Sequence, residues 1–197
     1  MSFTLGVIPA RGNSKRLPNK HLRQLCGKPL IQWTIEAARR SSLLDAFLVS
    51  TDSAEIGDAA RKLGAPVPFL RPKELATDDA KSVDVMIHAL EWFEDRFAIK
   101  PTHIMLLQPT SPLRTDVEID HAIMMTLMFP THDSFVTMGE DQKPNGCLYI
   151  TKRDMLLLDR RIWDLSGIMW IQPYPMVDVD TFEDLLEAER YLCQRPS

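Results

Sequence analysis

Residues 3–8 are apolar at almost every position and partly β-branched, which predicts a strand covered on both faces. The pattern recurs at 46–51 and 103–107, and in weaker form at 67–70, 134–138, 147–151, 168–171 and 176–180. Between these runs the apolar spacing becomes helical. Leu30, Trp33, Ile35, Ala37 and Ala38 predict one helix, opened by Pro29 and closed near Arg39 and Arg40. Asp52 or Ser53 can cap a second, which Gly64 stops. Val83, Ile87, Leu90, Phe93 and Phe97 mark a third. Thr115 or Asp116 begins a fourth that ends before Pro130, and Thr181 with Asp184 resembles the capping box of a fifth reaching Leu192. Strands alternating with helices predict an α/β sandwich around a mostly parallel sheet. No linker or repeat interrupts the pattern, so residues 1–197 are expected to form one domain. In such sheets ligands bind beyond the C-terminal strand ends. The chemistry is therefore expected on the loops after Ile8, Leu70, Leu107 and Val177.

Composition narrows the partners. The chain is 45% hydrophobic and 25% charged, which is the norm of a soluble globular domain. Lys+Arg number 23 against 27 Asp+Glu, and the net charge of −4 argues against a nucleic-acid polymer as partner. A small phosphorylated ligand needs only a local basic cluster. Cys26, Cys147 and Cys193 form no CxxC pair, and this odd, scattered set predicts reduced thiols in a reducing compartment. His21, His88, His103, His121 and His132 show no metal-ligand spacing such as HExxH. The N-terminal apolar run has no basic flank and is cut by Pro9 and Arg11, so it does not read as a signal peptide. No stretch approaches the ~20 apolar residues of a membrane span. The expected location is the cytoplasm, with no membrane partner.

Four loops carry candidate chemistry. Arg11, Lys15, Arg16 and Lys20 crowd the loop after the first strand, and Gly12 permits close backbone approach. Backbone N–H groups and such cations suit a triphosphate, although neither a Walker A loop nor GxGxxG is present. A solvated basic loop is the bland counterpart. In Val177-Asp-Val-Asp180, strand periodicity puts Asp178 and Asp180 on one side. Two close carboxylates call for a cation, and hard oxygen donors suit Mg²⁺ with phosphate oxygens completing its shell. The bland counterpart is a helix cap beside a solvated Asp. Gln108-Pro-Thr-Ser-Pro-Leu-Arg114 is a proline-stiffened loop whose Gln108 and Thr110 offer neutral hydrogen bonds to a sugar, or else a rigid connector. Arg71, followed by Asp78 and Ser82, could recognise a base, a carboxylate or only a surface partner. Together the four describe nucleotidyl transfer, in which the protein positions and neutralises without a covalent nucleophile.

At this point the residues are familiar. IPARGNSKRLPNK, STD at 50–52, LRPKELATD at 70–78, LLQPTSPLRT at 106–115, PNGCLYIT at 144–151 and VDVDTFEDLLEAE at 177–189 resemble the acylneuraminate cytidylyltransferase family. That family includes the synthetases for CMP-sialic, pseudaminic and legionaminic acids. The resemblance implies a Rossmann-like three-layer sandwich of the nucleotide-diphospho-sugar transferase type. It implies a reaction in which the anomeric hydroxyl of a nine-carbon 2-ulosonic acid attacks the α-phosphate of CTP, with Mg²⁺, giving the CMP-sugar and pyrophosphate. By position, Arg11, Lys15 and Lys20 match the catalytic basic residues of the phosphate loop. Ala10, Gly12, His21, Arg71, Ala80 and Ser82 complete the nucleotide contacts, Gln108 and Thr110 the sugar contacts, and Asp178 and Asp180 the metal carboxylates.

Three departures stand out. His21 replaces the Asn common beside the nucleotide, and Lys143 precedes Pro-Asn-Gly where Arg is usual. The third is a gap. The family typically inserts several tens of residues before Pro-Asn-Gly, an arm that forms a homodimer and reaches into the partner's site to hold the acid. Here only residues 139–143 remain. Either dimer and acceptor contacts are rebuilt, or the acceptor differs. The competing readings are a related transferase joining another NTP to a sugar 1-phosphate, and a nucleotide-binding paralogue without catalysis.

Overall fold

The computed structural model describes residues 2–193. Six strands form the main sheet in the order β4-β1-β5-β7-β6-β8, namely Ala46–Ser50, Thr4–Pro9, His103–Leu106, Pro144–Lys152, Ser134–Met138 and Ile168–Ile171. β1 pairs in parallel with β4 and β5, and β6 in parallel with β8. β7 alone runs against its neighbours, β5 and β6. The sheet is thus mostly parallel, as expected, with one reversed strand. A two-stranded hairpin, β2 (Gln24–Leu25) and β3 (Lys28–Pro29), turns through Cys26 and Gly27.

The central strands are apolar on both sides because helices cover both. Leu5, Val7, Ile104 and Leu106 face one core with Met86, Leu90 and Phe93 of α3 (Ser82–Phe97). Ile8, Val49, Met105 and Leu107 face another, filled from α1 (Leu30–Arg40), α2 (Ala54–Lys62) and α4 (Asp116–Met128). Period-two alternation along each strand produces this three-layer sandwich. Ser53 Oγ accepts from Ile56 N to cap α2, and Thr115 with Glu118 forms a full capping box on α4. The predicted box of Thr181 and Asp184 opens α5 (Phe182–Leu192). A third, smaller core joins Leu17 and Leu25 near the start to Val177, Val179, Leu185 and Leu192 near the end. It holds the first loop against the segment that precedes α5.

Three expectations are corrected. Residues 67–70 form no strand; a single bridge joins Thr51 to Leu70. Pro66 and Pro68 remove the donors a ladder needs, so Val49 N reaches Pro66 O and Arg71 N reaches Thr51 O on either side. Residues 176–180 also lack a ladder. Val179 N donates to Thr110 O, while Val177 and Val179 point into the small core, so the alternation survives without the strand. Finally, Cys26 and Cys193 are joined in a disulfide, Cα atoms 5.9 Å apart, because the end of α5 lands on the β2–β3 hairpin. Cys147 is the buried free thiol, and burial pushes its pKa up to about 12. Trp170 packs on Phe135 and His121, whereas Met169 is exposed on the sheet edge. No helix among the described residues is long and apolar enough to cross a membrane.

Candidate active site

The first loop leaves β1 at Ala10, which is buried and donates its N–H to Ser50 O, extending the β4 pairing by one step. Gly12 N donates to Asp52 Oδ1, and a Cβ at Gly12 would stand 2.9 Å from the Ser53 Cβ, so the loop lies flat on the cap of α2. Leu17 then plugs the small core. This anchoring spreads four cations along one rim. Arg11 Nη1 meets Asp78 Oδ1 at 2.7 Å and Thr77 O at 3.2 Å, and Lys15 Nζ meets Asp78 Oδ2 at 2.5 Å. Arg16 and Lys20 take the two oxygens of Asp180, at 2.7 and 2.8 Å. The basic stretch near the beginning and the acidic pair near the end therefore share one mouth of the sheet.

Between them lies a cavity of about 280 Å³. Arg11, Lys20, His21, Arg71, Ala80, Ser82, Gln108 and Thr110 all line it. Ala10 and Gly12 shape the loop from behind, Lys15 sits on its outer rim beside Asp78, and Asp178 and Asp180 stand beyond Thr110 and Lys20. His21 follows Asn19, whose left-handed φ of 56° starts the short turn Lys20–Leu22. Its ring is held neutral: burial first, then Lys20, Arg71 and Arg11, push its pKa down to about 3. Its Nδ1 has no hydrogen-bond partner among the described residues. Arg71 is buried and gives Nη2 to Ser50 O and Nη1 to Leu75 O, leaving Nε without a partner among the described residues. Among the described residues Arg71 forms no ion pair; it stiffens the floor of the cavity.

Gln108 is held from below. Arg114, fully enclosed, donates Nη2 to Gln108 O at 2.5 Å, Nε to Cys147 O at 2.8 Å and Nη1 to Thr34 Oγ1 at 3.3 Å. Burial lowers its pKa against the pull of Cys147, Glu118 and Asp178. One cation thus ties the Gln108 loop to β7. Gly146, at φ +78°, brings β7 so close that a Cβ there would sit 2.9 Å from Gln108 Oε1 and 3.5 Å from Asp178 Oδ2. The Thr110 side chain is hydrogen-bonded to Asp178, so its hydroxyl positions that carboxylate before it can meet any sugar.

Asp178 and Asp180 differ in state. Asp180 already has two cations, whereas the Asp178 carboxyl is pushed above the usual carboxylate range by desolvation and by Asp180, against Thr110 and Lys20. A carboxylate pair with one member short of positive charge fits a hard divalent cation whose remaining ligands are phosphate oxygens and water. A Cys26–Glu189–Cys193 cluster also lies within ligand reach, but the disulfide consumes its sulfurs. Sequence reasoning passed over Asp52, Arg114 and Gly146 as parts of the site, and named Asp78 only as a neighbour of Arg71. Only Gly146 carried a local signal, the Asn-Gly pair that marks a left-handed backbone.

Residues 5–137 match the family model for cytidylyltransferases. The chain is 41% identical over 163 residues to the CMP-N,N'-diacetyllegionaminic acid synthase of Legionella pneumophila, covering 82% of this chain and 69% of that one. It is 38% identical over 141 residues to the N-acylneuraminate cytidylyltransferase of Escherichia coli O18:K1:H7, covering 72% of this chain and 32% of the relative. In fold it resembles the CMP:2-keto-3-deoxy-manno-octonic acid synthetase solved with CTP, with a TM-score of 0.79 at 17% identity over 98% and 99% of the two chains. It also resembles Rv0371C of Mycobacterium tuberculosis in its complex with manganese (TM-score 0.65, 19% identity, 96% and 99% covered). At such identities these last two likenesses speak for the fold alone. The model match over most of the chain, together with the Legionella relative, leads to one assignment: this chain belongs to the cytidylyltransferase family.

Proposed function

We propose that this chain transfers CMP from CTP to the anomeric hydroxyl of a nine-carbon 2-ulosonic, sialic-type acid, releasing pyrophosphate. The observation that carries the reading is the contact of Arg16 and Lys20 with Asp180, which closes the basic loop and the acidic pair around one cavity. Curated relatives named for the CMP activation of legionaminic and N-acylneuraminic acids support the same substrate class.

In this reading Arg11, Lys15 and Lys20 bind the triphosphate and neutralise charge on the departing pyrophosphate. Asp78 serves as the resting partner of Arg11 and Lys15 and is displaced when phosphate enters. His21 and Arg71 line the space for the base with Ala80 and Ser82, and a neutral imidazole there can donate or accept a hydrogen bond. Gln108 positions the acceptor at the α-phosphate. Asp178 and Asp180 would hold Mg²⁺, which when bound supplies further charge neutralisation at the attacked phosphate. The acceptor oxygen bonds to the α-phosphorus as the bond to pyrophosphate breaks, and the hydroxyl proton passes to solvent water.

The test is pyrophosphate release with Mg²⁺ and a panel of 2-ulosonic acids, run with each of the four NTPs. Turnover with CTP in preference to the other three is expected. Folded protein that turns over no acid with CTP would refute the reading, and a preference for another NTP with a sugar 1-phosphate would replace it.

A further inference from the structure

The start of β7 has no regular ladder to β6. Their register shifts between Val136 and Met138, and side chains fill the break. Leu148 N donates to Thr137 Oγ1 at 2.9 Å, and Thr137 Oγ1 donates to Asn145 Oδ1 at 2.7 Å. Cys147 N donates to the same Asn145 Oδ1 at 3.1 Å. That last bond spans two residues and closes a tight turn around Gly146, whose φ is +78°. Gln108 Oε1 and Asp178 Oδ2 lie on the bare side of Gly146, 2.9 and 3.5 Å from where a Cβ would stand. The turn that Asn145 closes is therefore the surface on which both side chains rest.

Asn145 is itself held from α4. Its Nδ2 donates to Gln172 Oε1, and Gln172 Nε2 donates to Glu118 Oε1. Gln172, just after β8, is 2% exposed, and Glu118, in the first turn of α4, is 4% exposed. Glu118 Oε2 accepts from Thr115 N at 2.8 Å and Thr115 Oγ1 at 3.0 Å, and Tyr174 OH donates to Oε1 at 2.6 Å. A carboxylate only accepts and a backbone N–H only donates. With Glu118 at one end and Cys147 N at the other, one orientation is left for each amide between them. Water does not reach the buried links to repair a reversed one, so the order is strongly enforced. Glu118, Gln172 and Asn145 do not line the cavity, and their effect on it passes through the turn at Gly146.

We propose that Glu118, Gln172 and Asn145 are positioning residues: their order of donors and acceptors sets the turn at Gly146, and that turn sets Gln108 and Asp178 for the transfer. The proposal rests on the transferase reading above and adds a buried relay that reaches the site from α4.

Glu118→Gln sets an amide N–H against a donor, either Thr115 N or Gln172 Nε2. Turning both amides of the relay only moves the clash to Cys147 N. Asn145→Ala removes the last link and leaves Glu118 untouched. The double variant Glu118→Gln/Gln172→Glu restores an acceptor opposite every donor and moves the negative charge by one link. Tyr174→Phe removes a donor that lies outside the relay. The experiment measures kcat for pyrophosphate release with a 2-ulosonic acid, CTP affinity by calorimetry, melting temperature, and amide hydrogen exchange at Cys147. Misplacement by about 1 Å costs up to about a hundredfold in rate, so Glu118→Gln and Asn145→Ala are each expected to lose roughly ten- to a hundredfold in kcat. CTP affinity stays at the parent value. Exchange at Cys147 is faster in Glu118→Gln, and the double variant recovers both rate and protection. Tyr174→Phe keeps the parental rate. Parental kcat and parental exchange in Glu118→Gln overturn the proposal, as does a double variant no better than the single one. Where Glu118→Gln melts below the assay temperature, Asn145→Ala decides, and parental kcat there overturns the proposal. A parent that releases no pyrophosphate with any acid overturns the transferase reading and takes the proposal with it, whereas loss confined to the relay variants leaves that reading standing.

Discussion

One added methyl at Gly146 tests whether the entry of β7 sets the position of Gln108. Gly146 has φ +78°, and the left-handed backbone costs an L-residue roughly 1–2 kcal/mol. Gly27 has nearly the same φ, +77°, and nothing lies within 4 Å of a Cβ built there. Gly27→Ala therefore carries the backbone cost alone. At about 2–4 °C per kcal/mol for a chain of this size, both variants should melt roughly 2–8 °C below the parent. Gly146→Ala adds a contact at 2.9 Å with Gln108 Oε1, while Asp178 Oδ2 at 3.5 Å is in ordinary van der Waals contact. The amide is the far end of a flexible side chain, so it swings away at little cost to stability. The cost falls on the acceptor: one lost neutral hydrogen bond is about 1 kcal/mol, or about fivefold in KM. Melting curves and pyrophosphate-release kinetics, with acceptor and CTP varied in turn, read the two effects apart. Acceptor KM equal in Gly146→Ala and Gly27→Ala would refute the reasoning, as would a loss confined to CTP affinity.

Asp78 is an exposed carboxylate whose pKa is lowered by Lys15 and Arg11, and an incoming triphosphate must displace it. Removing the carboxylate frees the two cations, so Asp78→Asn should bind CTP more tightly than the parent in calorimetry; unchanged or weaker binding contradicts the displacement. Burial and the neighbouring cations push the His21 pKa from its ordinary 6.5 down to about 3, so the unfolded chain binds more protons between those values. Its contribution is complete above pH 6.5 and is lost as pH falls toward 3, the loss reaching about 2 kcal/mol by pH 5. The parent should then lose stability between pH 7 and 5 more steeply than His21→Asn in urea titrations, and parallel curves would exclude the effect. The Cys26–Cys193 bridge closes a span of 167 residues, and such bridges contribute about 2–4 kcal/mol. Alkylation in denaturant without reductant should label Cys147 alone, and reductant should lower the melting temperature; three labelled thiols would remove the bridge from the account.

Legibility in the sequence followed the range of the interaction. The buried central strands and the Thr181–Asp184 box depend on neighbours a few positions away, so their signal is local and visible. The same holds for the basic residues between 11 and 20 and for the acidic pair at 178 and 180. The run at 67–70 misled because its apolar composition said strand while Pro66 and Pro68 withheld the donors. The alternation at 176–180 was right about which side chains share a side, and wrong about a ladder. In the sequence Arg71 read as a cation for the ligand or a surface partner, and Arg114 as the end of a rigid connector. Their guanidinium groups instead turn inward to carbonyls from strands distant in sequence, which no local pattern could announce.

By itself the sequence determined the alternation of strands and helices, the two-sided burial of the central strands and the loops on which polar chemistry would gather. These follow from local periodicity, capping and the composition of short segments. Only the tertiary structure decided which charges meet. Asp180 faces Lys20 across 160 positions, Asp78 meets Arg11 and Lys15, and α5 is bridged to the hairpin. Those pairings depend on how the sheet is ordered and on the one reversed strand, and long-range packing sets both.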